Sequence, residues 1–196
     1  MTMITVALSR IVDGIEGSMS DDWGFYLDKK TGETVELDGC LLELLEALES
    51  AILENGIAAE EACDCLREEY EDSYAFDILS YEESIDCVIE LVGHELVDIE
   101  SLSTREEYRL MEDFIETLDN EHDRQLLFVA IEGRGAFRRF KDTAASIGKL
   151  QAYFHFKDKA AFQAAREWCE HHEIKYSDDW ERIEKLRYLD KGYVPA

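Results

Sequence analysis

The chain is short of four things, and each shortage narrows its roles. Of 196 residues one is proline, at Pro195, so glycines, caps and hydrophobic pattern must end its helices. Basic side chains are few: 20 Lys and Arg against 46 Asp and Glu give a formal net charge of −26. Such a surface repels phosphates and anionic headgroups, which argues against general coating of duplex nucleic acid and against docking on an acidic membrane. Long apolar runs are missing as well; stretches such as residues 126–131 are far too short to cross a bilayer. The opening MTMITVALSR has no basic segment, apolar core or small-residue cleavage site, so no secretory signal is expected and the expected location is cytoplasmic. Cysteines number five and are irregularly spaced. Cys63 and Cys65 stand too close for a zinc knuckle and no second pair follows, so free, structural thiols are expected and no metal or other cofactor is implied.

What is present is enough for a core: 46% hydrophobic and 11% aromatic residues argue against general disorder. Two β-rich runs within residues 22–37 flank the turn Lys29-Lys-Thr-Gly32 and read as a hairpin. Residues 2–15 and 40–54 carry apolar positions at helical spacing; the second stripe is Leu41, Leu44, Leu45, Leu48 and Ile52. Further helices are expected over 58–70, 81–92, 121–132, 136–147, 157–172 and 178–189. Another starts at Ser103-Thr-Arg-Glu106, a capping box, and buries Tyr108, Met111, Phe114, Ile115 and Leu118. Residues 96–99 could be a short strand, 150–156 strand or helix, and 71–80 alternate Tyr74, Phe76 and Ile78 as a strand would. The expected fold is α+β, a predominantly helical single domain over residues 1–196 with an N-terminal β-hairpin.

Charge is divided along the chain. Residues 1–123 hold 35 acidic and 6 basic side chains, residues 124–196 hold 11 and 14. The first is the acidic part, the second a basic and aromatic helical part. In the acidic part Glu43, Glu46, Glu49 and Glu54 spread over the polar arc of the 40–54 helix and are the candidate contacts for a basic protein partner. The bland alternative is a solvated, solubilising face.

In the basic part the densest run is Glu132-Gly-Arg-Gly-Ala-Phe-Arg-Arg-Phe-Lys-Asp142. On a helix from 136, Phe137, Phe140, Ala144 and Ile147 face the core. Arg138 and Lys141 lie on one flank with Arg134 entering beside them, and Arg139 points elsewhere. Gly133 and Gly135 permit a sharp turn ahead of a helix N-terminus, where free N–H groups favour anions. Gly133, Arg134, Gly135, Arg138 and Lys141 are therefore the candidate anion-binding residues, with a phosphate-containing ligand in view. Neutralisation by neighbouring carboxylates is the open alternative.

This segment, with Glu107-Tyr108-x-x-Met111-x-x-Phe114-Ile115 upstream and the YLD-x-x-TGE hairpin at Tyr26–Glu33, resembles an uncharacterised bacterial protein family of soluble proteins of about this size. The resemblance implies an ordered fold and a bacterial origin; that family has no established activity to transfer. Phosphate-loop, dinucleotide, calcium-loop, HExxH and GxSxG patterns are all missing or incomplete. No catalytic residue is named and the expectation leans away from an enzyme. The expected function is a cytoplasmic, non-enzymatic binding or regulatory protein with an acidic partner-binding surface and a local anion-binding basic helix. Two alternatives stand beside it: an enzyme or nucleic-acid-processing factor acting on a phosphorylated substrate at residues 133–141, and an acidic protein that mimics phosphates. The sequence gives no oligomeric state.

Overall fold

A computed structural model describes residues 4–17, 23–69 and 82–193. The expected alternation at Tyr74, Phe76 and Ile78 lies outside the described residues. Helices dominate and a small antiparallel sheet contains the hairpin, so the fold is α+β and mostly helical. Contacts group the chain into two units, Met1–Ser18 with Ser101–Ala196 and, between them, Met19–Glu100. Neither boundary falls at the charge division near residue 123.

In the inserted unit, β2 (Trp23–Asp28) pairs antiparallel with β3 (Thr34–Asp38), from Trp23 opposite Asp38 to Leu27 opposite Thr34. β4 (Leu96–Asp98) adds to the other edge of β2, with Leu27 opposite Val97. Strand β3 runs straight into α2 (Gly39–Asn55) because Asp38 caps it: the carboxylate accepts the Leu41 amide at 2.7 Å. Leu44, Leu45 and Leu48 then pack with Leu37, with Ala62, Cys63 and Leu66 of α3 (Ala59–Glu69), and with Val88 and Leu91 of α4 (Glu82–Leu91).

The other unit joins the chain's two ends. β1 (Val6–Ala7) lies parallel to β5 (Tyr176–Ser177), a pairing too short to leave a sequence signal. Just beyond it, Ser9 donates its amide (3.0 Å) and hydroxyl (2.7 Å) to the carboxylate of Asp179. α1 (Leu8–Glu16) buries Leu8, Ile11, Val12 and Ile15 and packs on the long α8 (Leu150–His171). Residues 150–156 are thus the first turns of that helix. α5 (Thr104–Glu116) starts at the expected capping box: the Glu106 amide donates to Ser103 Oγ (3.3 Å) and the Ser103 amide to Glu106 Oε2 (2.9 Å). With α6 (Glu121–Ile131) and α7 (Ala136–Ser146) it closes over a core of Met111, Phe114, Ile115, Leu127, Ile131, Phe140 and Tyr153. Phe140 meets Tyr153 and Phe114 edge-on at centroid distances of 4.6 and 6.3 Å. α9 (Trp180–Arg187) and a 3₁₀ turn (Leu189–Lys191) finish this unit. Among the described residues no helix is long and apolar enough to cross a membrane.

Candidate functional site

The corner between α6 and α7 is built around helix-end carbonyls. A helix leaves its last carbonyls without partners of its own. Here Val129 O accepts from the Glu132 amide (3.4 Å), Ala130 O from Arg139 Nε (3.1 Å) and Ile131 O from the Tyr108 hydroxyl (3.0 Å). The same guanidinium donates to the carbonyls of Glu132 and Arg134, with Gly133 O at 3.5 Å. To turn its carbonyls toward one side chain, the loop takes Gly133 and Gly135 into the left-handed region, at φ of +73° and +77°. A Cβ on Gly135 would also stand 3.4 Å from Arg139 Nη1. Arg139, which the helical wheel points away from the other cations, frames the loop. Its signal was available: a long donor-only side chain one turn after a glycine loop can fold back onto that loop.

The three cations named from sequence lie on the loop and the first two turns of α7. Arg134 and Lys141 are exposed, and among the described residues neither enters an ion pair. The Arg138 side chain is 91% exposed and, among the described residues, reaches only Asp142, at 3.8 Å. Among the described residues no side chain caps α7, so its first-turn amides are left to solvent or a ligand.

The acidic face of α2 is more mixed than its sequence suggests. Glu43, Glu46 and Glu54 are exposed, and the same helix exposes Leu53, which is 86% accessible. Glu49 is half-buried, and its Oε1 accepts the Gly93 amide at 2.9 Å.

Two further polar clusters were not singled out from the sequence. In the hairpin turn, buried Asp28 accepts the Lys30 amide (2.7 Å), the Thr31 hydroxyl (2.7 Å) and His94 Nδ1 (2.8 Å). Lys30 Nζ stands 2.6 Å from His94 Nε2, so both contacts are hydrogen bonds when the ring is neutral with its proton on Nδ1. Burial alone would raise the Asp28 carboxyl, but the Thr31, Lys30 and His94 hydrogen bonds together hold it below the usual carboxylate value. In the terminal unit, buried Asp158 accepts Arg187 Nη1 (2.8 Å) and the Tyr188 hydroxyl (2.7 Å). Glu16 Oε2 lies 3.9 Å from Arg187 Nη1, and Glu16 Oε1 lies 3.8 Å from Lys157 Nζ. Burial first, then the Asp158 carboxylate, push the Glu16 carboxyl up. Burial pushes the Tyr153 phenol up to about 12. Asp158 had a readable signature: it occupies a buried position among Tyr153, Ala161, Phe162 and Ala165, where an acid is rare unless paired.

Among the described residues no three His, Cys, Asp or Glu side chains converge as a metal would require. Comparison of the chain with protein-family models, with curated proteins and with solved structures gave no match.

Proposed function

We propose that the protein is a non-enzymatic binding protein, and that the α6–α7 corner holds an anionic group of its ligand. One observation carries this reading. In a chain with more than twice as many acids as bases, Arg134, Arg138 and Lys141 stay out of close ion pairs with the described residues. A neutralising role would place carboxylates against them. Binding is favoured over reaction because the loop residues 132–135 and the cations Arg138 and Lys141 are exposed to water. A cytoplasmic location and a basic protein partner for Glu43, Glu46 and Glu54 belong to the same proposal, supported by the exposed acidic face of α2.

The test is calorimetric titration of inorganic tripolyphosphate into wild type, Arg134→Ala/Arg138→Ala and Lys159→Ala, at low and moderate salt. The double variant should bind roughly tenfold more weakly, since each exposed cation contributes up to about 1 kcal/mol. Lys159, an exposed cation on α8, controls for general electrostatics and should change affinity less than about twofold. Equal binding by all three proteins, or none by wild type, would remove the site.

A further inference from the structure

A second site, independent of the corner, lies in the terminal unit. An open groove of about 380 Å³ runs between α8 and the end of α9. One wall is Gln151, Phe154 and Asp158, spaced i, i+3, i+7 on α8; the other is Arg187, Tyr188 and Lys191. Its size is within the range of small-molecule sites.

The polar groups of the groove are only partly used. Both donors to Asp158 converge on Oδ2, and among the described residues Oδ1 takes no protein donor. No side-chain oxygen or nitrogen among them is both fully buried and unpartnered, so Oδ1 keeps some exposure although the Asp158 side chain as a whole is only 10% exposed. Arg187 uses Nη1 on Asp158 and approaches Glu16 with the same atom; among the described residues Nε and Nη2 take no hydrogen-bond acceptor, and together they form the edge that grips a carboxylate with two parallel hydrogen bonds. Lys191 brings a second cation to the rim, and Phe154, half-buried, brings an apolar ring. An acceptor and a carboxylate clamp therefore stand side by side, joined by the 2.8 Å contact between Asp158 and Arg187.

We propose that this groove binds a free α-amino acid with a large apolar or aromatic side chain. Its ammonium donates to Asp158 Oδ1, its carboxylate accepts from Arg187 with Lys191 nearby, and its side chain lies on Phe154. A simple anion would meet the Asp158 carboxylate, and a simple cation would meet Arg187 and Lys191. Only a ligand carrying both charges on neighbouring atoms satisfies both.

The experiment is an NMR and calorimetric titration of the full chain with L-phenylalanine, and with two analogues that each lack one charge, N-acetyl-L-phenylalanine and phenethylamine. L-Phenylalanine should bind with a dissociation constant of about a millimolar, as suits a small ligand in an open groove. It should shift the Gln151 side-chain amide, and each analogue should bind at least roughly tenfold more weakly. Asp158→Asn tests the acceptor directly. Because Asp158 also ties α9 to α8, the rim variant Lys191→Ala, which disturbs no described ion pair, keeps the test valid should Asp158→Asn fail to fold; it should weaken binding roughly threefold. Absence of binding at 20 times that concentration (about 20 mM, by the same estimate) overturns the proposal. Equal binding of either analogue, or no change in Lys191→Ala, overturns it too.

Discussion

Arg139→Ala separates framing of the corner from binding at it. The substitution removes donors to the Ala130, Glu132 and Arg134 carbonyls and leaves a helix end and a left-handed loop to water. A hydrogen bond from a charged donor contributes about 1.5–3 kcal/mol when desolvated. Arg139 is an exposed residue, and water reaches most of the freed carbonyls, so the sum falls to about 1–2 kcal/mol, including the loss of a cation at a helix C-terminus. In a unit of about a hundred residues that lowers the melting temperature by roughly 4–8 °C per kcal/mol. Arg138→Ala, one residue earlier, removes a side chain whose ion-pair partner among the described residues is 3.8 Å away, and it should leave stability within about 0.5 kcal/mol. Thermal unfolding followed by NMR on amides of α6 and α7 reads this unit by itself. Equal effects of the two substitutions, or no effect of Arg139→Ala, would refute the assignment of framing to Arg139.

Three other outcomes are expected. Phe140→Ala, at a fully buried position in contact with Phe114 and Tyr153, should cost about 3–5 kcal/mol, visible as a large loss of denaturant resistance in the terminal unit. The Asp28 carboxyl is held below its usual value in the fold, so its stabilisation is present above the unfolded value near pH 4 and is lost as pH falls through the lower folded value. Asp28→Asn should therefore flatten the acid side of the hairpin unit's stability profile, and an unchanged slope would contradict the hydrogen-bond account. Exposed Cys65 and Cys87 should react with a disulfide reagent in the native protein. Buried Cys63, and buried Cys169 whose thiol burial pushes up to about 11, should react only on unfolding, which mass spectrometry of the labelled chain will show.

Legibility from sequence followed the reach of the interactions. The hairpin, the Ser103 capping box and the apolar stripe of α2 depend on neighbours within a few residues, and all three are formed. The β1–β5 pairing and the Ser9–Asp179 bonds join positions 170 residues apart, through strands of two residues that have no periodicity to read. At the corner, glycine chemistry and helix start were visible, yet the division of labour between Arg138 and Arg139 was not. A helical wheel separates the two cations by about 100°, but it does not say which one faces the last carbonyls of the preceding helix. Asp158 was readable as an acid in a buried register, but its partners Arg187 and Tyr188 lie 29 and 30 residues further on.

Charge behaves the same way, and its redistribution has a measurable consequence. Read linearly, acidity fills residues 1–123; by packing, Glu106 and its neighbours on α5 belong with the more balanced terminal unit. The inserted unit, residues 19–100, keeps 25 acidic side chains against 3 basic ones. Among the described residues its helices bury an apolar face, while Glu43, Glu46, Glu60, Glu61, Asp64, Asp86 and Glu90 are exposed. Two like charges 10 Å apart repel by about 0.4 kcal/mol in water. The Debye length is about 30 Å at 0.01 M salt and well under 10 Å at 0.3 M, so added salt removes about half of that repulsion. A handful of such pairs, partly retained in the unfolded chain, amounts to about 1 kcal/mol. Amide exchange at Leu44, Leu45 and Leu48 should therefore slow roughly fivefold between those salt concentrations, while Phe140 and Phe162 in the terminal unit change little. If both sets slow equally, salt is acting on the hydrophobic effect instead, and the carboxylates of the inserted unit are too well solvated to repel one another.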